Sequence, residues 1–192
     1  MHLETEPGLN YAYSNLGAGL LGHTLGLSQK TSFQELLQQQ IFDKFEMSNS
    51  FTSNQNLEGK LVLGLSESGE PESNWSFDVL FGGGGILSTT EDLAKFVISQ
   101  VDPNCKEFVL ATKPTFTVGP GTKIGLGWHL LKSKSDNDLV WHNGGTAGYT
   151  SSMTIDMDSR TTVIVLSNVS AFSAHMDNID SLGKSLLSNY EK

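Results

Sequence analysis

Val140-Trp141-His142-Asn143-Gly144-Gly145-Thr146-Ala147-Gly148-Tyr149 is the stretch around which this sequence is organised. It joins one ionisable imidazole to a run of small residues that leave backbone N–H and C=O groups open to a ligand. A histidine beside exposed backbone donors is typical of a catalytic cleft. Glycine clusters mostly mark turns, so the stretch taken by itself favours a glycine-rich hairpin turn with a surface histidine. The rest of the chain decides between these interpretations.

Length, composition and charge narrow the class of protein. The 192 residues suit one folded domain, with 38% hydrophobic residues and a formal charge of −9. Lys and Arg form no cluster, which argues against nucleic acid or an anionic membrane as a partner. The lone Cys105 excludes an internal disulfide and a cysteine-based zinc site. No His and carboxylate pair has metal-ligand spacing, so we predict neither a metal nor another cofactor.

The first residues, Met1–Glu6, are acidic and lack the apolar core of a signal peptide. No run of residues approaches the length of a membrane span. The sequence passes at once into the tight segment Pro7–Tyr13, which reads as the middle of a longer fold.

The first half of the chain predicts helices and loops. Ser14 or Asn15 can cap a helix whose glycines favour close packing, and Ser32 with Glu35 forms a capping box for a second helix to about Gln40. A long polar surface loop is expected next, with a short strand near Lys60–Leu63 and with Trp75 and Phe77 fixing its far end; we assign it to residues 53–74.

The glycine run Phe81–Leu87 lacks the Lys-Ser/Thr of a P-loop and the spaced glycines of a dinucleotide fingerprint, so nucleotide binding is not expected. Ser88 and Glu91 form a second capping box instead. We therefore predict that the run is the entry to a helix over Asp92–Val101.

The second half of the chain predicts antiparallel strands and a last helix. Three or four antiparallel strands are expected, from segments of strand character at Ile124–Leu131, Leu139–His142, Tyr149–Ile155 and Thr161–Leu166. An amphipathic helix follows over about Ala174–Tyr190. Helices first and strands later indicate an α+β architecture, mostly helical with loops over residues 1–115, and strands plus a terminal helix over residues 116–192.

Four segments, in order, resemble one family. They are Tyr13-Ser14-Asn15-Leu16-Gly17, Gly84–Leu93, Gly125-Leu126-Gly127-Trp128 and the opening stretch. Together they are similar to serine hydrolases related to class C β-lactamases and D-alanyl-D-alanine carboxypeptidases. The resemblance covers essentially the whole chain and implies the C-terminal portion of a β-lactamase/transpeptidase-like fold, as a single partial domain over residues 1–192.

The resemblance also implies a chemistry and a set of site residues. The family transfers acyl groups to a serine, which cleaves amide or ester bonds such as those of D-Ala-D-Ala peptides, β-lactams or esters. Tyr13 would help to move the proton, Asn15 would orient side chains, and His142 would replace the usual lysine. Gly145 would offer its N–H to the oxyanion hole, and the residues expected to bind substrate are Asn143, Gly144, Gly145 and Thr146.

Two departures from the family pattern matter. The Ser-x-x-Lys nucleophile segment does not precede Tyr13, and the single Ser-x-x-Lys present, Ser181–Lys184, lies in the closing helix on the wrong side of the other motifs. We therefore expect no nucleophile in these 192 residues and no activity from the chain alone. A lysine is fully charged at neutral pH whereas a histidine side chain ordinarily titrates near pH ~6.5, so a histidine in this place would make the site less permanently cationic.

Simpler interpretations remain beside the functional ones. Tyr13 could be an ordinary aromatic at a helix start, Asn15 only a helix cap, and His142 a structural residue at a strand end. His23 and His129 are expected to be packing or surface residues. The chain could also be a non-catalytic binding module, or a half that complements a separate N-terminal half.

The expected partners are a small-molecule or peptidoglycan-peptide-like substrate. An incomplete fold would leave an apolar face and a sheet edge uncovered, which predicts either self-association or a missing N-terminal half. The resemblance implies a periplasmic or secreted location.

Overall fold

Residues 5–190 are described by the structure, a computed structural model. The expectation drawn from Met1–Glu6 therefore falls mostly outside the described residues. The helices are α1 (Asn15–Gln29), α2 (Phe33–Leu37), α3 (Thr90–Gln100), α4 (Lys106–Ala111) and α5 (Asp177–Tyr190). The strands are β1 (Gly64–Leu65), β2 (Pro71–Glu72), β3 (Phe116–Gly119), β4 (Thr122–Ile124), β5 (His129–Lys132), β6 (Asp138–Gly145), β7 (Thr150–Asp156) and β8 (Thr161–Ser167).

Helix α1 begins where Ser14 caps it. Ser14 has an extended backbone, and its Oγ accepts a hydrogen bond from the N–H of Gly17 at 3.0 Å. This satisfies one of the first-turn donors that have no partner inside the helix. Ser14 is thus the cap and Asn15 the first helical residue, which settles the choice that the sequence left open.

Glycines form the buried face of α1. Gly19, Gly22 and Gly26 are buried, and a Cβ added at Gly19 would come within 2.9 Å of the Cα of Leu80. The short 3₁₀ segment Asp78–Gly83 packs on this face, as the glycine spacing predicted. The leucines of α1 therefore point outward; those exposed by about half or more are Leu16, Leu20, Leu21, Leu25 and Leu27.

The predicted capping box of α2 is confirmed. Ser32 Oγ accepts from the Glu35 N–H, and the Glu35 carboxylate accepts from the Ser32 N–H. The helix changes to a π-helical turn over Gln38–Phe42, and this wider turn carries Phe42 into the interior.

The cap of α3 lies one residue later than the second capping box predicted, and the helix begins at Thr90, two residues before the predicted start at Asp92. Thr89 is the cap and accepts from the N–H of Asp92 at 3.2 Å. The Ser88 hydroxyl instead hydrogen-bonds with the Ser50 hydroxyl at 2.7 Å. Asp92, the third residue of α3, then takes part in the same buried network.

The main sheet has six antiparallel strands in the order β3-β4-β5-β6-β7-β8. The sequence predicted three or four strands and missed the hairpin of β3 and β4. The segment predicted as one strand over Ile124–Leu131 is divided by a turn, because Gly127 has a left-handed φ of 79°. The Gly125 N–H closes this turn by donating to the Trp128 carbonyl at 2.8 Å.

The long polar loop is present, but the strand expected at Lys60–Leu63 is not among the described elements. A two-residue ladder of β1 and β2 follows it instead. Trp75 fixes the end of the loop through ring contacts with Phe77 at 6.0 Å and Phe172 at 6.2 Å.

Different helices pack against the main sheet. Val97 of α3 and Phe108 of α4 form the core on one face with Val140 and Ile155. Helix α5 packs against β7 and β8. Within residues 5–190, β8 pairs only with β7 in the main sheet, so its outer edge is open. No helix in this part of the chain has both the length and the apolar character needed to cross a bilayer.

Candidate active site

Tyr13 and His142 are brought together at one end of the sheet. Tyr13 lies just before α1, and His142 lies near the end of β6. Their ring centroids are 6.5 Å apart and the ring planes are inclined at 43°. Tyr13 is 63% exposed, so its ring remains accessible from the solvent. Two of the three residues predicted to be catalytic are therefore neighbours, although 129 positions separate them in sequence.

The tautomer of neutral His142 follows from its local contact. His142 Nδ1 lies 2.5 Å from the carbonyl oxygen of Asn143. A carbonyl can only accept, so Nδ1 carries the hydrogen and donates it. The lone pair of the neutral ring is then on Nε2, which is the atom that can take up a proton.

The side chain of Asn143 faces away from that of His142. Asn143 Nδ2 donates to Asp180 Oδ2 of α5 at 2.8 Å, and Trp141 Nε1 donates to Asp180 Oδ1 at 3.2 Å. Alternate residues of a strand point to opposite faces, so His142 is directed to the face opposite α5. Only the backbone of Asn143 can then border a substrate beside His142. The substrate-binding role predicted for Asn143 stays a prediction, and it would involve backbone groups.

The small residues after Asn143 end β6 and form the next turn; we call residues 142–146 the β6 wall. Gly144 and Gly145 are exposed, and a Cβ on Gly145 would lie 2.5 Å from Ala171 Cβ. The Thr146 N–H donates to the Tyr149 carbonyl at 2.8 Å, and the Thr146 carbonyl accepts from the Ala171 N–H at 2.9 Å. The stretch is therefore a hairpin turn and also an exposed strand end, so the two interpretations of the sequence are compatible.

Asn15 lies at the first position of α1 and its side chain is exposed. Among residues 5–190 this side chain has no hydrogen-bond partner. The orienting role predicted for Asn15 is therefore still a prediction.

Tyr11 and His129 join this group, and the sequence did not identify them. Tyr11 Oη lies 3.4 Å from His129 Nε2, and the His129 ring is 5.0 Å from the Trp141 ring and 5.5 Å from the His142 ring. Burial lowers the pKa of His129, and the positive charge of His142 lowers it further. No local pattern shows this contact: the register sets His129 opposite Trp141, one position before His142, and only the tertiary structure brings the two imidazole rings together.

The Ser181–Lys184 segment lies in α5, directly after Asp180, which accepts a hydrogen bond from Asn143 of the β6 wall. Ser181 is exposed, and Lys184 Nζ lies 5.0 Å from the centroid of the Trp141 ring. Trp141 and His142 alternate on β6, so this segment is on the face opposite the His142 side chain. Among residues 5–190, no three His, Cys, Asp or Glu side chains are grouped in a way that could hold a metal ion.

The chain has a β-lactamase/transpeptidase-like fold. In this fold a helical region places a tyrosine against a histidine at the end of an antiparallel strand, and a closing helix packs behind that strand. The Beta-lactamase family model matches residues 1–182, and the chain belongs to this family.

Three relatives illustrate the similarity. A β-lactamase of Pseudomonas fluorescens is 26% identical over 130 residues, which are 65% of this chain and 36% of that protein. Penicillin-binding protein 4* of Bacillus subtilis (strain 168) is 27% identical over 184 residues, 85% of this chain and 41% of that protein. The structure of a class C β-lactamase superposes with a TM-score of 0.86 at 17% identity, over 100% of this chain and 61% of that one. The chain thus spans less than half the length of the curated relatives that it matches.

Proposed function

We propose that Tyr13 and the β6 wall are one side of a serine acyl-transfer cleft that cleaves amide or ester bonds. The observation that supports this most directly is the contact of the Tyr13 and His142 rings beside the exposed Gly144 and Gly145. Membership of the family supports serine acyl transfer in general.

The chemistry assigned to each residue follows from its atoms. Neutral His142 accepts a proton at Nε2, since its Nδ1–H is held by the Asn143 carbonyl. Tyr13 exchanges a proton between its hydroxyl and the reacting group. The Gly145 N–H donates to the oxygen of a tetrahedral intermediate, where such a backbone donor contributes most in a site that excludes water.

The nucleophile of this reaction is not one of the serines in these 192 residues. Ser181, in the only Ser-x-x-Lys pattern, lies in α5, which contacts β6 through Trp141 and Asn143 rather than through His142. The substrate has an acyl group on an amide or ester, as D-Ala-D-Ala peptides, β-lactams and simple esters do.

Intact-mass measurement after incubation with a fluorophosphonate, and separately with a penicillin, tests the assignment of the nucleophile. We expect no covalent adduct on this chain, and the Ser181→Ala variant serves as the control. A stoichiometric adduct on any serine would contradict the assignment.

Titration with D-alanyl-D-alanine, followed by NMR, tests the role of the β6 wall. We expect the ring resonances of Tyr13 and His142 to shift, and His142→Gln to abolish the shift at Tyr13. The exposed His175, remote in sequence, is the internal control. Shifts of equal size at His175, or none at Tyr13 and His142, would count against a substrate-binding wall.

A non-catalytic binding module would also show the NMR shifts with D-alanyl-D-alanine, but it would cleave no substrate even after a separate N-terminal half is added. We favour a catalytic half instead, because the outward leucines of α1 and the open edge of β8 offer a surface for further chain. Hydrolysis that appears only after a Ser-x-x-Lys-containing half is added would support this choice. Ligand binding without hydrolysis in that mixture would favour the binding module.

A further inference from the structure

Four aromatic rings lie in a row beside the β6 wall: Tyr11, His129, His142 and Tyr13. Successive ring centroids are 6.4, 5.5 and 6.5 Å apart. The proposed function uses only the last two rings. The row therefore contains a second imidazole, in contact with the first, that has no assigned role.

The contacts of His129 favour its neutral form. His129 Nδ1 is fully buried and has no hydrogen-bond partner among residues 5–190. A protonated imidazole carries N–H donors on both nitrogens, so protonation would leave a buried donor unsatisfied at Nδ1. The neutral ring can leave Nδ1 as a bare acceptor, which is a smaller penalty, while Nε2 meets the Tyr11 hydroxyl.

The groups around His129 do not offset this preference. Strand β4 sets Ile124 opposite it, and β6 supplies the rings of Trp141 and His142. The segment before α1 supplies the hydroxyl of Tyr11, with Tyr13 beyond His142.

The charged groups nearest to this cluster on α5 contact Trp141. Asp180 accepts hydrogen bonds from Trp141 and Asn143, and Lys184 lies against the Trp141 ring. Within the described part of the chain, no carboxylate forms a hydrogen bond or an ion pair with His129.

On the basis of the function proposed above, we propose that His129 is a positioning residue of the cleft. It stays neutral, holds Tyr11 against the row, and limits the two imidazoles to a single positive charge. Proton exchange on this side of the cleft then takes place at His142 alone, because a second proton on the row would have to enter the buried ring.

Burial and the charge of His142 act on His129 in the same direction, since both lower its pKa. A proton on His129 is therefore disfavoured most when His142 is already charged. Interaction between sites of this kind makes the titration of one ring depend on the state of the other.

NMR titration of the histidine ring protons in the whole chain tests this proposal without any substrate. In the wild-type protein we expect the His129 midpoint to lie below the ordinary value. In His142→Gln the midpoint should rise, but not reach the ordinary value, because burial remains. The matched control is His175→Gln, which removes an exposed imidazole and should leave the His129 midpoint unchanged.

A His129 midpoint that is equal in the wild-type protein and His142→Gln would overturn the proposal, as would a wild-type midpoint at or above the ordinary value. Amide spectra establish that each variant is folded. If His142→Gln is unfolded, Tyr11→Phe provides the second test: it should shift the His129 ring resonances and leave those of His175 in place, and unchanged His129 resonances would refute the contact.

The titration can succeed even if the cleft has another function. Failure of the proposed function would appear as absent D-alanyl-D-alanine shifts with the coupling of His129 and His142 intact. Failure of this inference would appear as uncoupled histidines in a chain that still binds the dipeptide.

Discussion

At the scale of single residues, Asp92 is a buried carboxylate that is held by several hydrogen-bond donors. Its side chain is fully buried and accepts hydrogen bonds from the Asn49 N–H at 2.7 Å, the Ser50 hydroxyl at 2.9 Å and Lys95 Nζ at 3.1 Å. Burial by itself raises the pKa of Asp92, but these three donors outweigh it and hold the pKa below the ordinary value of 3.8. The carboxylate thus fixes the start of α3 against the segment that precedes the long loop.

We expect Asp92→Asn to lower the free energy of unfolding by about 1–3 kcal/mol at pH 7, because hydrogen bonds to a charged acceptor are lost. The folded-state pKa is depressed, so this stabilisation is complete above the ordinary value and is lost as the pH falls through the folded-state pKa. Urea denaturation from pH 7 down to pH 3 measures both effects, and the difference between wild type and variant should shrink at the acidic end.

Glu91→Gln is the matched control for this experiment. Glu91 is adjacent in sequence and lies 3.8 Å from the same Lys95, but its side chain is 77% exposed. Its replacement should change the free energy of unfolding by no more than about 0.5 kcal/mol. An equal cost for both variants would show that Lys95, not the buried network, is responsible.

At the scale of secondary structure elements, α1 is held by the absence of side chains on its buried face. A Cβ on Gly19 would approach the backbone of Leu80, whereas a Cβ on Gly17 would meet only Ser14 atoms at 3.4 Å. Two glycines one half-turn apart in the same helix therefore have opposite structural roles.

We expect Gly19→Ala to destabilise the protein by about 1–3 kcal/mol, because the added methyl group forces α1 and the 3₁₀ segment apart. Gly17→Ala should stabilise it by up to about 1 kcal/mol, since alanine is the better helix former. Thermal unfolding of the two variants gives the comparison. A Gly19→Ala variant that is more stable than the wild-type protein would contradict the packing of α1 on Leu80.

The sequence predicted elements that local chemistry determines. The cap at Ser14, the capping box of α2 and the strands β6, β7 and β8 follow from hydrogen-bonding side chains and from alternation, which act over a few residues. The α3 cap was misplaced by one residue because Ser88 is bound by Ser50, a partner that no local pattern shows. The β3 and β4 hairpin was missed because short exposed strands have weak alternation.

The candidate site was predictable only where local sequence motifs mark its residues. Tyr13 and His142 were named from motif order, and the structure brings them together. His129 was treated as a packing or surface residue because its significance arises only when β5 pairs with β6. Asn143 was assigned to substrate binding, but the strand alternation that turns its side chain toward Asp180 depends on which face α5 covers.

At the scale of the whole molecule, apolar surface is distributed unevenly. Helix α1 exposes Leu21 by 61% and Leu25 by 45%, one turn apart on its outer face. Contiguous exposed apolar surface of this kind marks interaction sites in folded proteins. The open edge of β8 is a second place where another chain could add.

We expect the isolated chain to self-associate, and the double substitution Leu21→Glu with Leu25→Glu to reduce the association. Both leucines are exposed, so the free energy of unfolding of the monomer should change by only about 0.5 kcal/mol for each replacement. Sedimentation velocity over a range of protein concentrations measures the association.

Ile98→Glu is the control, since Ile98 is the most exposed large apolar residue of α3 and lies outside the α1 surface. It should leave the association unchanged. A wild-type chain that stays monomeric at every concentration would refute the expectation. An equal reduction of self-association by Ile98→Glu would indicate non-specific hydrophobic association.

The hydrogen bonds of Asp180 affect the order in which parts of the protein fold during synthesis on the ribosome. Asp180 holds Trp141 and Asn143 from positions 39 and 37 residues further along the chain. A nascent chain that has emerged only as far as Ser167 already contains every strand of the sheet, but lacks this support. Synthesis proceeds from the N-terminus at about 5–20 residues per second, so β6 waits about 2–8 seconds for its partner in α5. During that interval the indole N–H of Trp141 has only Ser152 or water as a partner, and the side-chain amide of Asn143 has only water. The face of β6 that packs on α5 therefore gains its last hydrogen bonds only after Asp180 has been synthesised.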